Sequence, residues 1–213
     1  MIKNIFKLNG KYIDVATSWD DLCYDRFNRM RKLKPDDGVE LVSILTNVPR
    51  ETLEAGEISG LEAIFAVAHE ILKAGVPDWN DPVDKIGPYT LPKNKDGKFK
   101  IEYESMGQFE DMRSVMNTIT DLNGLMEAHP RFVSIYLQKI RDGHYDSEKA
   151  KEMVKEVKAM PAREVISLGS FFWAKLRALF SGTPPSSPTT TPSPKKSKPV
   201  SKPSTKRSGR TRR

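Results

Sequence analysis

His69-Glu70 begins as a zinc-protease signature begins, but that signature needs a second histidine four residues after the first, and position 73 is Lys. The other two histidines, His129 and His144, stand far from it along the chain. His129, just before Pro130, reads as a residue near a helix end, where a cation suits the carbonyl end of the dipole. Asp78, Asp81 and Asp84 recur at a spacing of three. A calcium loop needs oxygen ligands at alternating positions and a Glu at the twelfth; counted from Asp78, the twelfth residue is Tyr89. These aspartates read as turn and cap residues. The single cysteine, Cys23, excludes an intramolecular disulfide and a multi-cysteine zinc site, and its apolar surroundings suit a packed thiol. The chain has no glycine-rich phosphate loop and no Gly-x-Ser-x-Gly turn. No nucleophile, base or metal set assembles from these side chains, so the expectation is a binding protein without catalytic residues, metal or cofactor.

Cations at the C-terminal end carry the clearest signal. Residues 181–213 contain nine Lys/Arg, no acidic residue, seven Pro and fourteen Ser or Thr. Lys195, Lys196, Lys198, Lys202, Lys206, Arg207, Arg210, Arg212 and Arg213 are the candidate polyanion contacts. A chain of this composition cannot build a core and is expected to be a disordered arm. Spread along an extended Pro-rich chain, its charges can track a phosphate backbone or an acidic protein surface. Ser193-Pro194-Lys195-Lys196 resembles the Ser-Pro-Lys-Lys motif of histone tails, which binds A·T-rich minor grooves. The bland alternative is a solubilising or tethering segment. The arm also changes the meaning of the net charge of +7: residues 1–180 hold 26 basic and 28 acidic residues, so the body is slightly acidic.

The second signal is apolar. Phe171, Phe172, Leu176 and Phe180 run down one stretch of the last helix, beside Trp173, Lys175 and Arg177. Three readings stand: a core stripe, a face offered to a protein partner, or a helix lying on a membrane surface. The partner reading makes these four the candidate contact residues. The N-terminus lacks a signal-peptide pattern and no run of about 18 apolar residues occurs, which speaks for a soluble chain in a reducing cytosol and against a membrane partner.

The elements that must position these groups are mostly helical. Asn9-Gly10 between two apolar runs predicts a β-hairpin over 2–15, because both residues tolerate the positive φ of a type I′ turn. Ser18 caps a helix carrying Trp19, Leu22, Phe27, Met30 and Leu33, ended by Pro35. Asp37 caps a second helix, Pro49 starts a short third, and residues 59–74 form a fourth whose broad apolar spread predicts a central, well-buried position. Residues 75–104 are a Pro-rich loop with a short strand near Tyr89–Leu91 and a small ribbon through Phe99, Ile101 and Tyr103, placed between two helical lobes. Helices follow from Ser105 to His129-Pro130, from Phe132 to Gly143, from a cap at Asp146 or Ser147 to Met160, and from Pro161 to Phe180. The fold class is therefore mainly α with small β-hairpins: a helical body over 1–180, then the arm over 181–213.

The order of these features resembles proteins encoded in the tail-gene clusters of tailed phages, of the Bacteroidota type, described as tail assembly chaperone-like. The resemblance rests on the ribbon Ile5 to Tyr12, the helix start Trp19-Asp20-Asp21-Leu22, the Leu-Val-Ser-Ile-Leu-Thr helix, Gln108 to Asp111, Phe132 to Tyr136, Tyr145-Asp146, Met160-Pro161 and Phe171-Phe172. It covers about residues 5–180, a pattern of order and spacing that leaves the arm outside it. It implies a non-enzymatic protein of the host cytoplasm, either released or retained in the virion, that covers a long helical tape-measure-like partner before the tail tube assembles. Six of the eight methionines lie after residue 105, which suits either an adaptable groove or ordinary core filling. The competing reading is a nucleic-acid-binding accessory protein acting through the arm.

Overall fold

The computed structural model describes residues 5–8, 11–34, 36–55, 61–75, 77–79, 83–93, 95–96 and 105–181. The arm, and the ribbon expected through Phe99–Tyr103, lie outside the described residues. Within them the chain is mainly helical with two small antiparallel hairpins, as its patterning implies.

Strands β1 (Ile5–Leu8) and β2 (Lys11–Asp14) pair in a register that sets Leu8 opposite Lys11; the turn expected at Asn9-Gly10 lies outside the described residues. Ser18 then starts a 3-10 turn over Trp19–Asp21, not a continuous helix. Oδ2 of Asp21 accepts the amides of Thr17 and Ser18, each at 3.0 Å, and both hydroxyls. Burial pushes this carboxyl up, but those four donors outweigh it and hold Asp21 below the ordinary carboxylate range. Helix α1 (Tyr24–Arg31) begins only after Leu22 and Cys23. The interruption has a tertiary cause. Tyr24 N donates to Met160 O and Ala162 N to Leu22 O, both at 2.9 Å, so this stretch is held extended as a bridge to Pro161.

Asp37 caps α2 (Gly38–Thr46), its side chain accepting Glu40 N at 3.1 Å, and is gripped by Arg50 Nη1 from α3 (Arg50–Glu54). Helix α4 (Leu61–Ala74) buries only the stripe Ile64, Ala68 and Ile71; Phe65 and Leu72 are exposed. The central position expected for it is corrected: the breadth of its apolar residues reflects an exposed side, and α4 lies at the edge. The central helix is α6 (Leu122–Asp142), in which every residue from Phe132 to Gln138 is buried. It packs against α5 (Met106–Asn117), α7 (Ser147–Lys158) and α8 (Ala162–Ser181).

Helix α6 also runs through Pro130, where a boundary was expected. The chain breaks earlier, and Asp121 caps the new start by accepting Gly124 N at 2.7 Å. Proline has no N–H to give the carbonyl of Met126, one turn earlier. The Tyr24 hydroxyl donates to that carbonyl instead, from α1. A side chain from elsewhere in the chain thus replaces the missing backbone bond, and the helix continues. His129 accordingly lies inside α6 and not at a helix end.

The Pro-rich segment after α4 is part of the core. Trp79 stacks on Phe27 with ring centroids 5.3 Å apart, and Ile86 and Leu91 are buried. Strands β3 (Lys85–Ile86) and β4 (Tyr89–Thr90) form the short hairpin there. Gly87 N donates to Glu164 at 2.7 Å, and the Tyr89 hydroxyl to Glu156 at 2.8 Å, so the hairpin is tied to α8 and α7. One hydrophobic cluster contains residues from α1, α2, α4 and α5–α8 together, and this segment joins the two helical groups instead of holding them apart.

Candidate partner-binding surface

Helix α8 positions the aromatic residues singled out at its C-terminal half, and it separates them. Arg163 in its first turn is exposed, but from Val165 to Leu168 every residue is buried, among the neighbouring helices and the β3–β4 hairpin. Beyond that the burial narrows to Phe172 and Leu176, one turn apart. Phe172 is 1% exposed and stacks on Tyr136 of α6 with centroids 4.9 Å apart; Leu176 is 0% exposed. These two are corrected from contact residues to core residues, because they form the one face of α8 that continues onto α6. Phe171 is half-buried, its ring edge-on to Phe172 at 6.0 Å, with Lys175 Nζ 5.7 Å above it. Only Phe180 of the original four keeps a large exposed area, at 41%.

Phe180 sits in a patch that spans two helices. Its ring lies 5.8 Å from that of Phe109 on α5, and the Arg113 guanidinium lies 5.6 Å from its centroid. On α5, Met106, Phe109 and Arg113 follow an i, i+3, i+7 path, flanking the buried line of Gln108, Met112 and Val115. Met106 is 74% exposed and Leu179, next to Phe180, is 64% exposed. The patch therefore combines two aromatic rings, a thioether, an isobutyl group and a cation, at the point where the chain passes into the arm. Met106 and Leu179 were not singled out beforehand; the signal was the α5 flank spacing, legible only once the inward line of Gln108 was known. The Met-rich expectation divides likewise. Met112, Met153 and Met160 are core, Met116 and Met126 are half-buried, and Met106 alone of this set is widely open.

The arm cations, Lys195 to Arg213, lie outside the described residues. Among the described residues no group of three or more His, Cys, Asp or Glu could hold a metal ion, and no helix is long and apolar enough to cross a membrane. His129 is fully buried, with neither ring nitrogen hydrogen-bonded. Burial, with a smaller push from Arg31, lowers its pKa to about 4, so it is a neutral core residue and not the helix-end cation expected of it. A hollow of about 710 Å³ lies beside Cys23, with Asp14, Asp20, Asp21 and Arg26 in its wall. The site chemistry is thus that of an apolar, partly cationic surface. No protein-family model matches the chain, and neither a curated protein nor a solved structure is significantly similar to it.

Proposed function

We propose that the chain is a non-enzymatic interaction protein of phage tail assembly, covering a long helical tape-measure-like partner in the host cytoplasm. The observation that supports this reading is the open patch of Met106, Phe109, Leu179 and Phe180 on α5 and α8, beside the start of a strongly basic segment. A long amphipathic helix exposes apolar stripes until its assembly closes around it. A patch of adaptable and aromatic side chains can hold such a stripe reversibly, while the arm's cations hold acidic residues next to it or anchor the complex. Whether the protein stays in the virion follows from how completely assembly displaces it.

The test is co-expression of the full chain with the long helical protein encoded beside it. Capture is expected, and Leu179→Asp with Phe180→Asp is expected to abolish it while the chain stays folded, since Leu179 is 64% and Phe180 41% exposed. Undiminished capture by that variant would overturn the reading.

The nine arm cations favour a second reading, a nucleic-acid contact made by the arm. If roughly five phosphates are neutralised on duplex DNA, log K should fall against log salt with a slope of about −4 to −5. Binding that ignores salt, or that survives removal of residues 182–213, would rule this out.

A further inference from the structure

Two hollows on the flank of α6 and α7 meet at shared residues. One, about 480 Å³, includes Lys32 of α1, Glu127 and Arg131 of α6, and Lys158 of α7 in its wall. The other, about 230 Å³, adds Asp111 of α5 and Lys151 of α7. Arg131 and Val154 line both, so the two hollows adjoin and make a two-part groove from the end of α1 to α5. Four cations face two carboxylates along it. The carboxylates are already engaged: Glu127 holds Lys32 at 2.6 Å, and Asp111 accepts the hydroxyls of Tyr145 and, at 2.6 Å, Ser147. Lys151 is paired with Glu148 on its outer side. Arg131 and Lys158 are exposed and neither side chain has a hydrogen-bond or ion-pair partner among the described residues. The floor between them is apolar, with Pro130, Val115 and Val154.

We propose that this groove binds an acidic, partly apolar peptide segment of a protein partner, with its carboxylates on Arg131 and Lys158 and an apolar side chain on the Val154 floor. The guanidinium fork of Arg131 fits a carboxylate through two parallel hydrogen bonds, and its place where the hollows join lets one extended segment use both. A polynucleotide fits less well. Its backbone charge is continuous, whereas the groove carries Glu127 and Asp111 within the cationic row, and these repel a uniform line of phosphates. Discrete carboxylates separated by apolar residues can avoid them. The groove is independent of the α5–α8 patch, and the proposal does not rest on the function assigned to that patch.

The test uses the full chain with the nine arm cations changed to Gln, so that the arm does not compete. The probe is a short fluorescent peptide alternating Glu and Leu, followed by anisotropy. Binding is expected, weakened about tenfold or more by Arg131→Glu with Lys158→Glu, and unchanged by Phe180→Asp. If the double reversal lowers the melting temperature, Arg131→Gln with Lys158→Gln is read in its place. Equal binding by these variants, absence of binding, or equal binding of a Lys-Leu peptide would overturn the proposal. So would a DNA duplex that displaces the acidic peptide and itself depends on Arg131 and Lys158, since the groove would then serve a nucleic acid.

Discussion

At the scale of single residues, Tyr24 and His129 hold the two least ordinary positions. The Tyr24 hydroxyl substitutes for the amide that Pro130 lacks, and burial holds the phenol well above its ordinary pKa, so it donates at any physiological pH. Tyr24→Phe should leave the Met126 carbonyl without its donor and cost about 1–3 kcal/mol. Pro130→Ala supplies the backbone amide, so the same Tyr24→Phe change should cost much less in that background. A double-mutant cycle by urea denaturation reads the coupling, and additive costs would refute this account. His129 gives a pH dependence whose sign is fixed. Its folded pKa, about 4, lies below the ordinary 6.5, so between these values the unfolded chain binds the proton more readily. The stability it supports is complete above about pH 6.5 and falls as pH drops toward 4, by on the order of 3 kcal/mol. His129→Leu should remove that part of the acid sensitivity. Denaturation curves at about pH 7.5 and pH 4.5 with the same loss in both proteins would show that His129 does not carry it.

At the scale of elements, α6 and α8 pack closely where Gly169 faces His129. A methyl group added at Gly169 would lie 2.7 Å from the imidazole ring, closer than real contacts allow. The ring is walled in and cannot swing away, so Gly169→Ala should destabilise by about 1–3 kcal/mol despite its better helix propensity. A melting temperature at or above that of the parent would show that the helices can separate there. The same pair of helices marks how far the sequence could be read. The existence of most helices followed from apolar spacing and from a cap such as Asp37, whereas the choice of Asp146 over Ser147 as a cap was settled only by the fold. The interruption at Leu22–Cys23 and the continuation through Pro130 did not, because each is decided by a distant partner, Met160 and Ala162 for the first and Tyr24 for the second. The contact residues were half legible for a related reason. Phe172 and Phe180 are the same residue type on one helix, and periodicity does not tell which turn of α8 still has a neighbour. Phe180 is half outside because, among the described residues, only Phe109 and Arg113 of α5 meet its ring, a fact of the neighbour and not of the local sequence.

At the scale of the molecule, a slightly acidic helical body is joined to a strongly basic segment, and the composition of that segment predicts that the two are separable energetically. Among the described residues Leu176 is the last fully buried side chain, and residues 182–213 offer Val200 as their one non-proline aliphatic side chain. Removing residues 182–213 should therefore change stability by no more than about 0.5 kcal/mol, as surface changes do. Calorimetry of the truncated chain checks this, and a large fall in melting temperature would mean that the removed segment packs on the body. The two proposed contact surfaces make distinct demands on this layout: the α5–α8 patch lies where the basic segment starts, whereas the α1–α6–α7 groove needs cations of the body itself.

The bridge between Cys23 and Pro161 has a consequence for how the protein is made. Chains leave the ribosome at roughly 5–20 residues per second, so the early aromatic cluster of Trp19, Tyr24 and Phe27 is synthesised well before residues 160–162 exist. Until they emerge, the amide of Tyr24 and the carbonyl of Leu22 lack their folded-state partners, and α1 lacks the surface it closes against. The nascent chain must therefore keep this cluster uncommitted for seconds. Final closure therefore waits for residues 160–162, and the first helix is the earliest made and among the last to be completed.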